Sequence, residues 1–351
     1  MPKVSMSQIA KKLGVSKGLV SIALSNKYGV SDETRFKIYV TAIEMGYDFS
    51  KCHMTEKPVG KYTIIVFIKQ IDLITDQFWP EILAGVEKKL AANNYRLKLE
   101  VWDERTTKEE ILVRIAQDNA DGIIVISELP SGTLNKLKNV NMPVIVIDGK
   151  EYYDGTFDNI RANNYLGGYL VAEYLVKKGH TKLAFVGDVN HSVSFLDRYH
   201  GFKDYLIRKC KNIQVFPSIK QSTFDKSEDY DTSDSEVMKM LKKEDRPTAL
   251  FCVNDIVAKF VYDEMKKIGL KVPDDISIVG FDNILMTNIY DPSLTSVNVL
   301  RKELGELAVR ILLNRIQKTD NAVQSVLLCV NLDEKKSVKD LNRKNGEKKW
   351  N

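Results

Sequence analysis

The stretch SMSQIAKKLGVSKGLVSIALS, residues 5–25, decides the fold of the N-terminal region. Ser5 and Gln8 have the three-residue spacing of a capping box, which satisfies free amide donors at the start of a helix. Gly14 supplies the permissive backbone that a tight turn needs, and Ser16 is placed to cap a second helix. Apolar residues recur at helical spacing on both sides of this turn. The stretch therefore predicts two short helices joined at Gly14.

A third helix is predicted in VSDETRFKIYVTAIEMGY, residues 30–47. Ser31 is its expected N-cap, and Gly46 lies where the end of a helix favours glycine. Three short helices with a tight turn between the first two are typical of a helix-turn-helix, a motif whose usual partner is duplex DNA. A small helical bundle without a nucleic-acid role has the same pattern, so the helices alone leave that alternative open.

The positive charge of the chain lies at its two ends. The formal net charge is +5 over 351 residues, and residues 1–60 hold nine Lys or Arg against five Asp or Glu. Residues 333–351 hold seven against four. A positive N-terminal unit suits contacts with phosphates. The Lys-rich C-terminal run is predicted to be a basic, flexible tail in solvent.

Several classes of protein are disfavoured by what the sequence lacks. Its four cysteines are far apart and show no C-x-x-C pair, which indicates neither a zinc site nor a disulfide framework. There is no signal-peptide core and no apolar run long enough to cross a bilayer. No histidine pair with metal-ligand spacing, phosphate-binding glycine loop or nucleophile elbow occurs. The sequence predicts a cytoplasmic protein that is not an enzyme and needs no metal or cofactor.

From residue 62 onward, short β-branched runs alternate with helical stretches. The runs lie at 63–68, 95–102, 121–127, 143–148, 182–187, 248–254 and 276–282. Strands separated by helices predict parallel βαβ units, here grouped as two successive open α/β sheets. The length of the chain also suggests two or three domains.

Polar side chains directly follow several of these runs: Asp148, Asp188, Asn254, Asp255 and Asp282. Open α/β sheets bind ligands outside the carboxyl ends of their strands, so these side chains form a candidate site for a hydroxyl-rich ligand. Aspartates after strands also cap helices and turns, so each one alone is ambiguous.

With both regions described, the chain resembles the lactose-repressor/galactose-repressor (LacI/GalR) family of bacterial transcription regulators from Val4 to about Leu332. The resemblance rests on the two N-terminal stretches and on five further motifs in family order and spacing: DGIIVIS, KKGHTKLAFVGD, DRYHGFKDYL, RPTALFCVNDIVAKFVYDEMKKIGLKVPDDISIVGFDNI and DPSLTSV. It implies an N-terminal helix-turn-helix domain followed by a two-lobed regulatory domain similar to periplasmic sugar-binding proteins. It also implies a homodimer on a near-palindromic operator.

The resemblance sets the expected domain boundaries. They are residues 1–50 for the helix-turn-helix domain, 51–61 for a hinge, 62–332 for the regulatory domain and 333–351 for the tail. Within the regulatory domain, lobe one is expected at about 62–160 and 291–320, and lobe two at about 161–290 and 321–332.

By the same resemblance, the second helix enters the major groove. Lys17 is placed to donate to guanine and Ile22 to contact a thymine methyl, whereas Gly18 has no side chain to read bases with. Serine hydroxyls and helix-start amides are expected to hold phosphates. The implied DNA-contacting residues are Ser5, Ser16, Lys17, Gly18, Ser21, Ile22, Ser25 and Met54. Ser25 replaces the asparagine usual in the family.

The hinge departs from the family pattern. Family members usually fold an Ala/Leu/Arg-rich segment into a helix there and wedge a leucine into the minor groove. Here residues 51–56 read KCHMTE, and Glu56 falls at the lever position. A carboxylate is repelled by the phosphate-lined groove. Either Met54 is the wedge, or the operator is not kinked in this way.

The effector contacts that the resemblance implies are Phe78, Trp79, Asp148, Arg198, Asn254 and Asp282. Carboxylate and amide oxygens accept from sugar hydroxyls, and Arg198 offers a rigid fork of donors. Phe78 and Trp79 are placed to stack on a sugar, with core or dimer packing as the alternative. A buried Arg198 needs a partner, which Asp282 or Asp188 can supply, so a purely structural ion pair is also open.

These features predict a ligand-responsive, sequence-specific DNA-binding regulator, in the first instance a repressor. A small effector, a sugar, is expected between the two lobes and changes operator affinity in a direction that the sequence leaves open. Alternative effectors are a purine, a phosphorylated metabolite or a partner protein. A stand-alone solute-binding protein would explain two lobes but not the helix-turn-helix.

Overall fold

The computed structural model describes residues 4–25, 27–49, 62–75, 77–118, 120–138, 140, 142–149, 155–209, 214–215, 236–319 and 322–342. Contacts divide the chain into two compact units. Unit 1 comprises Met1–Gly149, Tyr153–Ile160 and Arg301–Val326, and unit 2 comprises Lys150–Tyr152, Arg161–Leu300 and Leu327–Asn351. Residues 50–61 lie outside the described residues, and so do the hinge predictions for Met54 and Glu56.

Unit 1 begins with the three predicted helices, α1 (Met6–Leu13), α2 (Lys17–Leu24) and α3 (Asp32–Glu44). Ser5 and Gln8 form the predicted capping box, and Ser16 and Ser31 accept from backbone amides at the starts of α2 and α3. Gly14 has φ +67° and ends α1 in the left-handed conformation that the turn requires. The three helices enclose an apolar cluster whose fully buried members include Ile9, Val20, Ala23, Leu24, Ile38 and Ala42. The sequence-based prediction for this region is confirmed.

A parallel α/β sheet forms the rest of unit 1. Its elements are β1 (Tyr62–Lys69), α4 (Gln70–Thr75), α5 (Phe78–Ala91), β2 (Tyr95–Trp102), α6 (Lys108–Gln117), β3 (Gly122–Ile126), α7 (Thr133–Leu137), β4 (Val144–Ile147), β5 (Asp158–Ala162), α12 (Arg301–Ile316) and β11 (Ser325–Leu328). The strand order is β11-β5-β4-β3-β1-β2. In register, Val66 of central β1 pairs with Leu99 and Ile124 of its two parallel neighbours.

Unit 2 repeats this plan. It contains α8 (Asn164–Lys177), β6 (Lys182–Val186), α9 (Val193–Lys209), β7 (Gln214–Val215), α10 (Glu236–Leu241), β8 (Ala249–Cys252), α11 (Asp255–Lys267), β9 (Ser277–Asp282), a 3₁₀ turn (Leu285–Asn288), β10 (Thr295–Asn298) and β12 (Asn331–Asp333). The strand order is β12-β10-β9-β8-β6-β7, and only β12 pairs antiparallel. In both sheets the order reverses beside the first strand, which is where open α/β sheets bind ligands.

The unit boundaries in the C-terminal third of the chain differ from the sequence-based expectation. Residues 291–300 were expected in lobe one, but they contain β10, which pairs in parallel with β9 and so stays in unit 2. Residues 321–326 were expected in lobe two and belong instead to unit 1. The backbone amide of Asn159 donates to the carbonyl of Gln324 at 2.9 Å and ties this stretch to β5.

The C-terminal segment also differs from the expected flexible tail. Residues 333–342 pack on unit 2, because Ser337 is fully buried and its hydroxyl accepts from the Thr295 amide at 2.9 Å. The ring of buried His180 contacts Thr248 Oγ1 at 3.0 Å and the carbonyl oxygen of Lys339 at 3.1 Å. Burial lowers the pKa of this imidazole. His180 therefore holds the C-terminal segment through its contact with the carbonyl of Lys339.

Candidate functional site

The second helix presents the predicted base-reading positions outward. Val20, Ala23 and Leu24 are fully buried, whereas Lys17 and Gly18 in the first turn are exposed. Ser21 is also exposed, Ile22 is partly exposed, and both follow Lys17 and Gly18 by one helical turn. The predicted contact residues of α2 thus share one solvent-facing surface.

The predicted phosphate-contacting serines have local roles as well. Ser5 Oγ donates to Gln8 Oε1 at 2.9 Å, and Ser16 Oγ accepts from the Leu19 amide at 3.1 Å. Ser25 Oγ donates to the carbonyl oxygen of Ser21 at 2.7 Å and so ends α2. Each serine stabilises a helix end.

Arg35 is a residue of this region that the sequence analysis missed. Its guanidinium donates to the carbonyl oxygen of Ala23 at 2.8 Å and to that of Lys27 at 2.6 Å. It thereby satisfies acceptors at the C-terminal end of α2, where helices leave carbonyls without partners. An arginine in α3 gives no local signal of this contact, which joins residues 8 and 12 positions apart.

In unit 2, Arg198 of α9 is the centre of a buried polar cluster. Its exposure is 3%, and it donates to Asn164 Oδ1 at 2.9 Å, to the carbonyl oxygen of Val253 at 2.7 Å and to Asp282 Oδ1 at 3.0 Å. The guanidinium also stacks on Phe281, 3.7 Å from the ring centroid. Of the two partners proposed from sequence, Asp282 forms the ion pair. Three of five N–H donors are used within the described residues, which leaves two for a ligand.

Close helix packing positions Arg198. A Cβ atom on Gly168 of α8 would overlap the carbonyl oxygen of Arg198, and one on Gly201 of α9 would overlap the carbonyl oxygen of Tyr165. The two helices therefore touch backbone to backbone. Only glycine permits this approach, so α9 is held at a fixed depth against α8.

The turn after β9 carries Asp282 in an unusual backbone conformation. Asp282 has φ +99° and Asn283 has φ +51°, a region that costs non-glycine residues energy and occurs preferentially at functional sites. The Asn283 amide donates to Ser296 Oγ at 3.1 Å, and the Ile284 amide donates to Asp255 Oδ2 at 2.9 Å. These anchors hold the Asp282 carboxylate beside Arg198.

Asn254 and Asp255 stand at the start of α11, next to the same turn. Asn254 Oδ1 accepts from the Val257 amide at 2.9 Å, so its oxygen caps the helix. Capping is the structural role that polar residues after strands can also have. Asp255 is buried and accepts from Ser296 Oγ at 2.6 Å. Burial and the neighbouring carboxylate of Asp282 raise the pKa of Asp255 to about 8.

Two more polar residues beside Arg198 had escaped notice in the sequence. Buried Arg161, at the end of β5, donates to Asp197 Oδ2 at 3.4 Å, and Asp197 directly precedes Arg198. Asn164 follows three residues after Arg161 and contacts Arg198. The NN pair at 163–164 could have been found as a helix start after a strand, since Asn163 caps α8.

The candidate residues of unit 1 lie on separate elements. Asp148 follows β4 with φ +48°, and Ser127 follows β3 with φ +67°, so both strand ends adopt the left-handed conformation. Phe78 is buried at the start of α5 and meets the partly exposed Trp79 edge to face at 4.9 Å between centroids. Phe78 therefore belongs to the interior, as its packing alternative proposed.

The charges and hydrogen-bonding groups around Arg198 in unit 2 indicate which kind of ligand can bind there. Arg198, Asn254 and Asp282 lie at the carboxyl ends or helix starts of one sheet, and the charges of Arg198 and Asp282 compensate each other. Guanidinium donors that the described residues do not use, beside a carboxylate, suit a ligand with neighbouring hydroxyls. Within the described ranges, no three His, Cys, Asp or Glu side chains group as metal ligands, and no helix is long and apolar enough to span a membrane.

Comparison with known proteins gives consistent similarities. Residues 172–338 match the model of the periplasmic binding protein-like domain. The HTH-type transcriptional repressor PurR of Aliivibrio salmonicida is 31% identical over 317 residues, which cover 89% of this chain and 92% of that protein. PurR of Erwinia tasmaniensis is 30% identical over 344 residues, covering 96% and 97%.

Solved structures agree in fold. A LacI family transcriptional regulator from Enterococcus faecium with bound ribose has a TM-score of 0.65 and 26% identity over 80% of this chain and 99% of that one. The lac repressor dimer bound to operator has a TM-score of 0.67 and 22% identity over 96% of this chain and 99% of that one.

Proposed function

Because this chain belongs to the LacI/GalR family of ligand-responsive, DNA-binding transcriptional repressors, we propose that its effector is a neutral, hydroxyl-rich small molecule, a sugar. The repressor binds operator DNA as a dimer and responds to a small molecule. We place effector contacts at Arg198, Asn254 and Asp282 of unit 2. Binding there changes operator affinity through linkage.

The observation that carries this proposal is the Arg198–Asp282 pair. The side chains are 3.0 Å apart and nearly buried, and their charges cancel. A phosphorylated effector would bring its negative charge against the Asp282 carboxylate, an arrangement that costs binding energy. A sugar instead donates hydroxyl protons to the carboxylate and accepts from the free guanidinium donors. The pair therefore favours a neutral ligand over an anionic one.

A purine is the second candidate effector. It is favoured by the relatives named PurR, which share 28 to 31% identity with this chain over most of its length. A purine would need an aromatic or apolar face to stack on. One face of Phe281 is already covered by Arg198, so a purine at this site would need another ring to stack on.

For the DNA surface, we propose that Lys17, Gly18 and Ile22 read bases and that Ser5, Ser16, Ser21 and Ser25 contact phosphates. Met54 of the hinge is proposed as a further DNA contact. We further propose that the chain acts without enzymatic chemistry in the cytoplasm and is associated with the nucleoid when bound to its operator.

A thermal-shift screen of the full-length protein tests the effector class. The probes are D-ribose, D-glucose, cellobiose, hypoxanthine, guanine and glucose 6-phosphate, each against the wild type and Arg198→Met. A ligand at about 100 times its Kd adds about 2.7 kcal/mol to the free energy of unfolding. We expect a neutral sugar to raise Tm in the wild type and not in Arg198→Met. Stabilisation by glucose 6-phosphate or by a purine alone would contradict the proposal.

A further inference from the structure

Helix α6 of unit 1 carries two apolar stripes. Ile111, Leu112 and Ile115 belong to the cluster that packs against the strands of the unit 1 sheet. Val113 and Ala116, three residues apart on another face, are equally well covered, each with 7% exposure. A helix that packs only against a sheet needs one apolar stripe. The second stripe must therefore be covered by another part of the protein.

The second stripe is covered by α3 of the helix-turn-helix domain. Val113 and Ala116 belong to the same apolar cluster as Ile38 and Ala42 of α3. Ile43, one residue further along α3, packs against both this cluster and the cluster beneath the sheet. The two apolar cores of unit 1 thus meet at the contact between α3 and α6.

This contact leaves the DNA-reading surface free. α3 packs on α6 with residues near its C-terminal end, while Lys17, Gly18 and Ser21 of α2 remain exposed. Arg35 of α3 holds the C-terminal end of α2 through two backbone carbonyls. The position of α3 therefore determines the position of the reading helix.

We propose that the helix-turn-helix domain docks on α6. The contact of α3 with Val113 and Ala116 then determines the orientation in which α2 binds DNA. Val113 and Ala116 then determine DNA affinity without contacting DNA. The contact gives the helix-turn-helix domain a direct apolar connection to the α/β sheet of unit 1, in addition to the covalent link through residues 50–61. The inference depends on DNA binding by α1–α3 and is independent of the effector.

The test compares two full-length variants that each add one negative charge to the end of α6. Ala116→Glu places a carboxylate in the buried stripe, and Gln117→Glu places one on the neighbouring exposed position. Glutamate is a good helix former, so both keep α6 helical. Because the added charge is the same, any general repulsion of DNA phosphates is matched. The DNA probe is a duplex selected from a random library by the wild-type protein.

We expect Ala116→Glu to weaken DNA binding by about tenfold, because an undocked domain spends only a fraction of its time in the productive orientation. Hydrogen exchange of the α3 amides should rise by a similar factor, while exchange in β1 and β3 stays unchanged. Gln117→Glu should match the wild type in both measurements. If hydrogen exchange in β1 and β3 also rises in Ala116→Glu, the substitution has destabilised the sheet as well. Val113→Thr, which keeps the side-chain shape, should then give the same changes in α3 exchange and DNA affinity, but smaller ones.

Two results would overturn the inference. One is unchanged α3 exchange and DNA affinity in both Ala116→Glu and Val113→Thr. The other is conversion of Ala116→Glu to a monomer in sedimentation velocity with α3 exchange unchanged, which would assign the stripe to a second copy of the chain. Loss of the effector response in Arg198→Met, with operator affinity unchanged, would concern the proposed effector site and not the contact between α3 and α6.

Discussion

The buried carboxyl of Asp255 makes the stability of unit 2 depend on pH, and Asp255→Asn should remove that dependence. Burial, with the nearby Asp282 carboxylate, raises its pKa from 3.8 to about 8 in the folded protein. The bound proton contributes to the free energy of unfolding. This contribution is fully present below the pKa of the unfolded chain and is lost as the pH rises through the pKa of the folded protein. Stability of unit 2 should therefore fall as the pH rises from about 4 to 8.

The size of the effect follows from linkage. Between pH 6 and pH 8 the unfolded chain has already lost this proton, whereas the folded chain still holds it over most of the interval. The contribution of this proton to the free energy of unfolding falls by about 2 kcal/mol over the interval. Asparagine is a neutral analogue of the protonated acid, because its amide oxygen can still accept from the Ile284 amide. Ser296 Oγ, which donates to Asp255 in the wild type, then has to turn and accept from the asparagine NH2 group.

Hydrogen exchange by mass spectrometry on β8 and β9 measures this change within the full-length protein. At each pH the ratio of variant to wild-type exchange cancels the intrinsic rate, and that ratio should change by about 30-fold between pH 6 and pH 8. Asp274→Asn, at an exposed carboxylate, is the matched control and should give a constant ratio. A constant ratio for Asp255→Asn as well would refute the assignment of the bound proton to Asp255.

Three further predictions concern packing and DNA binding. Gly168→Ala should destabilise unit 2 by about 1 to 3 kcal/mol, because its Cβ overlaps the carbonyl of Arg198; calorimetry showing an unchanged Tm would be inconsistent with this packing. Gly18→Ala should stabilise α2 by about 0.5 to 1 kcal/mol, since the nearest atom to the new Cβ is Ser16 Oγ at 3.8 Å. If the same change weakens operator binding in a gel shift, the DNA backbone or bases approach Gly18 closely. Glu56→Leu should tighten operator binding by supplying the apolar wedge that the chain lacks; no effect, together with weakening by Met54→Ala, would make methionine the wedge.

Features set by local chemistry were predictable from the sequence. The capping box of Ser5 and Gln8, the caps at Ser16 and Ser31, and the left-handed Gly14 depend on neighbours within a few residues. The β-branched runs likewise predicted seven strands of the two sheets, since fully buried parallel strands are nearly continuous in apolar residues. The pairing of Arg198 with an aspartate followed from the cost of an unpaired buried charge.

Features set by distant partners were not predictable. β5 contains the charged residues Asp158 and Arg161, so its sequence does not resemble that of a buried strand. Asp158 is paired with Arg315 of α12, which lies 157 positions away. The C-terminal segment has a Lys-rich composition typical of a solvated tail, yet Ser337 is buried because it joins β9 and β10 through hydrogen bonds. Composition reports the average preference of a segment and misses single buried residues that fix its place.

The most direct test of the central claim is the effect of ligand on operator affinity in wild type and Asp282→Asn. Asparagine tolerates the left-handed backbone at this position and still accepts from Arg198, but it removes the charged acceptor for ligand hydroxyls. Fluorescence anisotropy is measured with a labelled operator duplex and the sugar that gives the largest thermal shift. In the wild type the sugar should change operator Kd by about 5- to 150-fold. Asp282→Asn should bind operator normally without sugar and need at least about tenfold more sugar for half of that change. The same sugar dependence in both proteins would contradict the assignment of the effector site to Arg198 and Asp282.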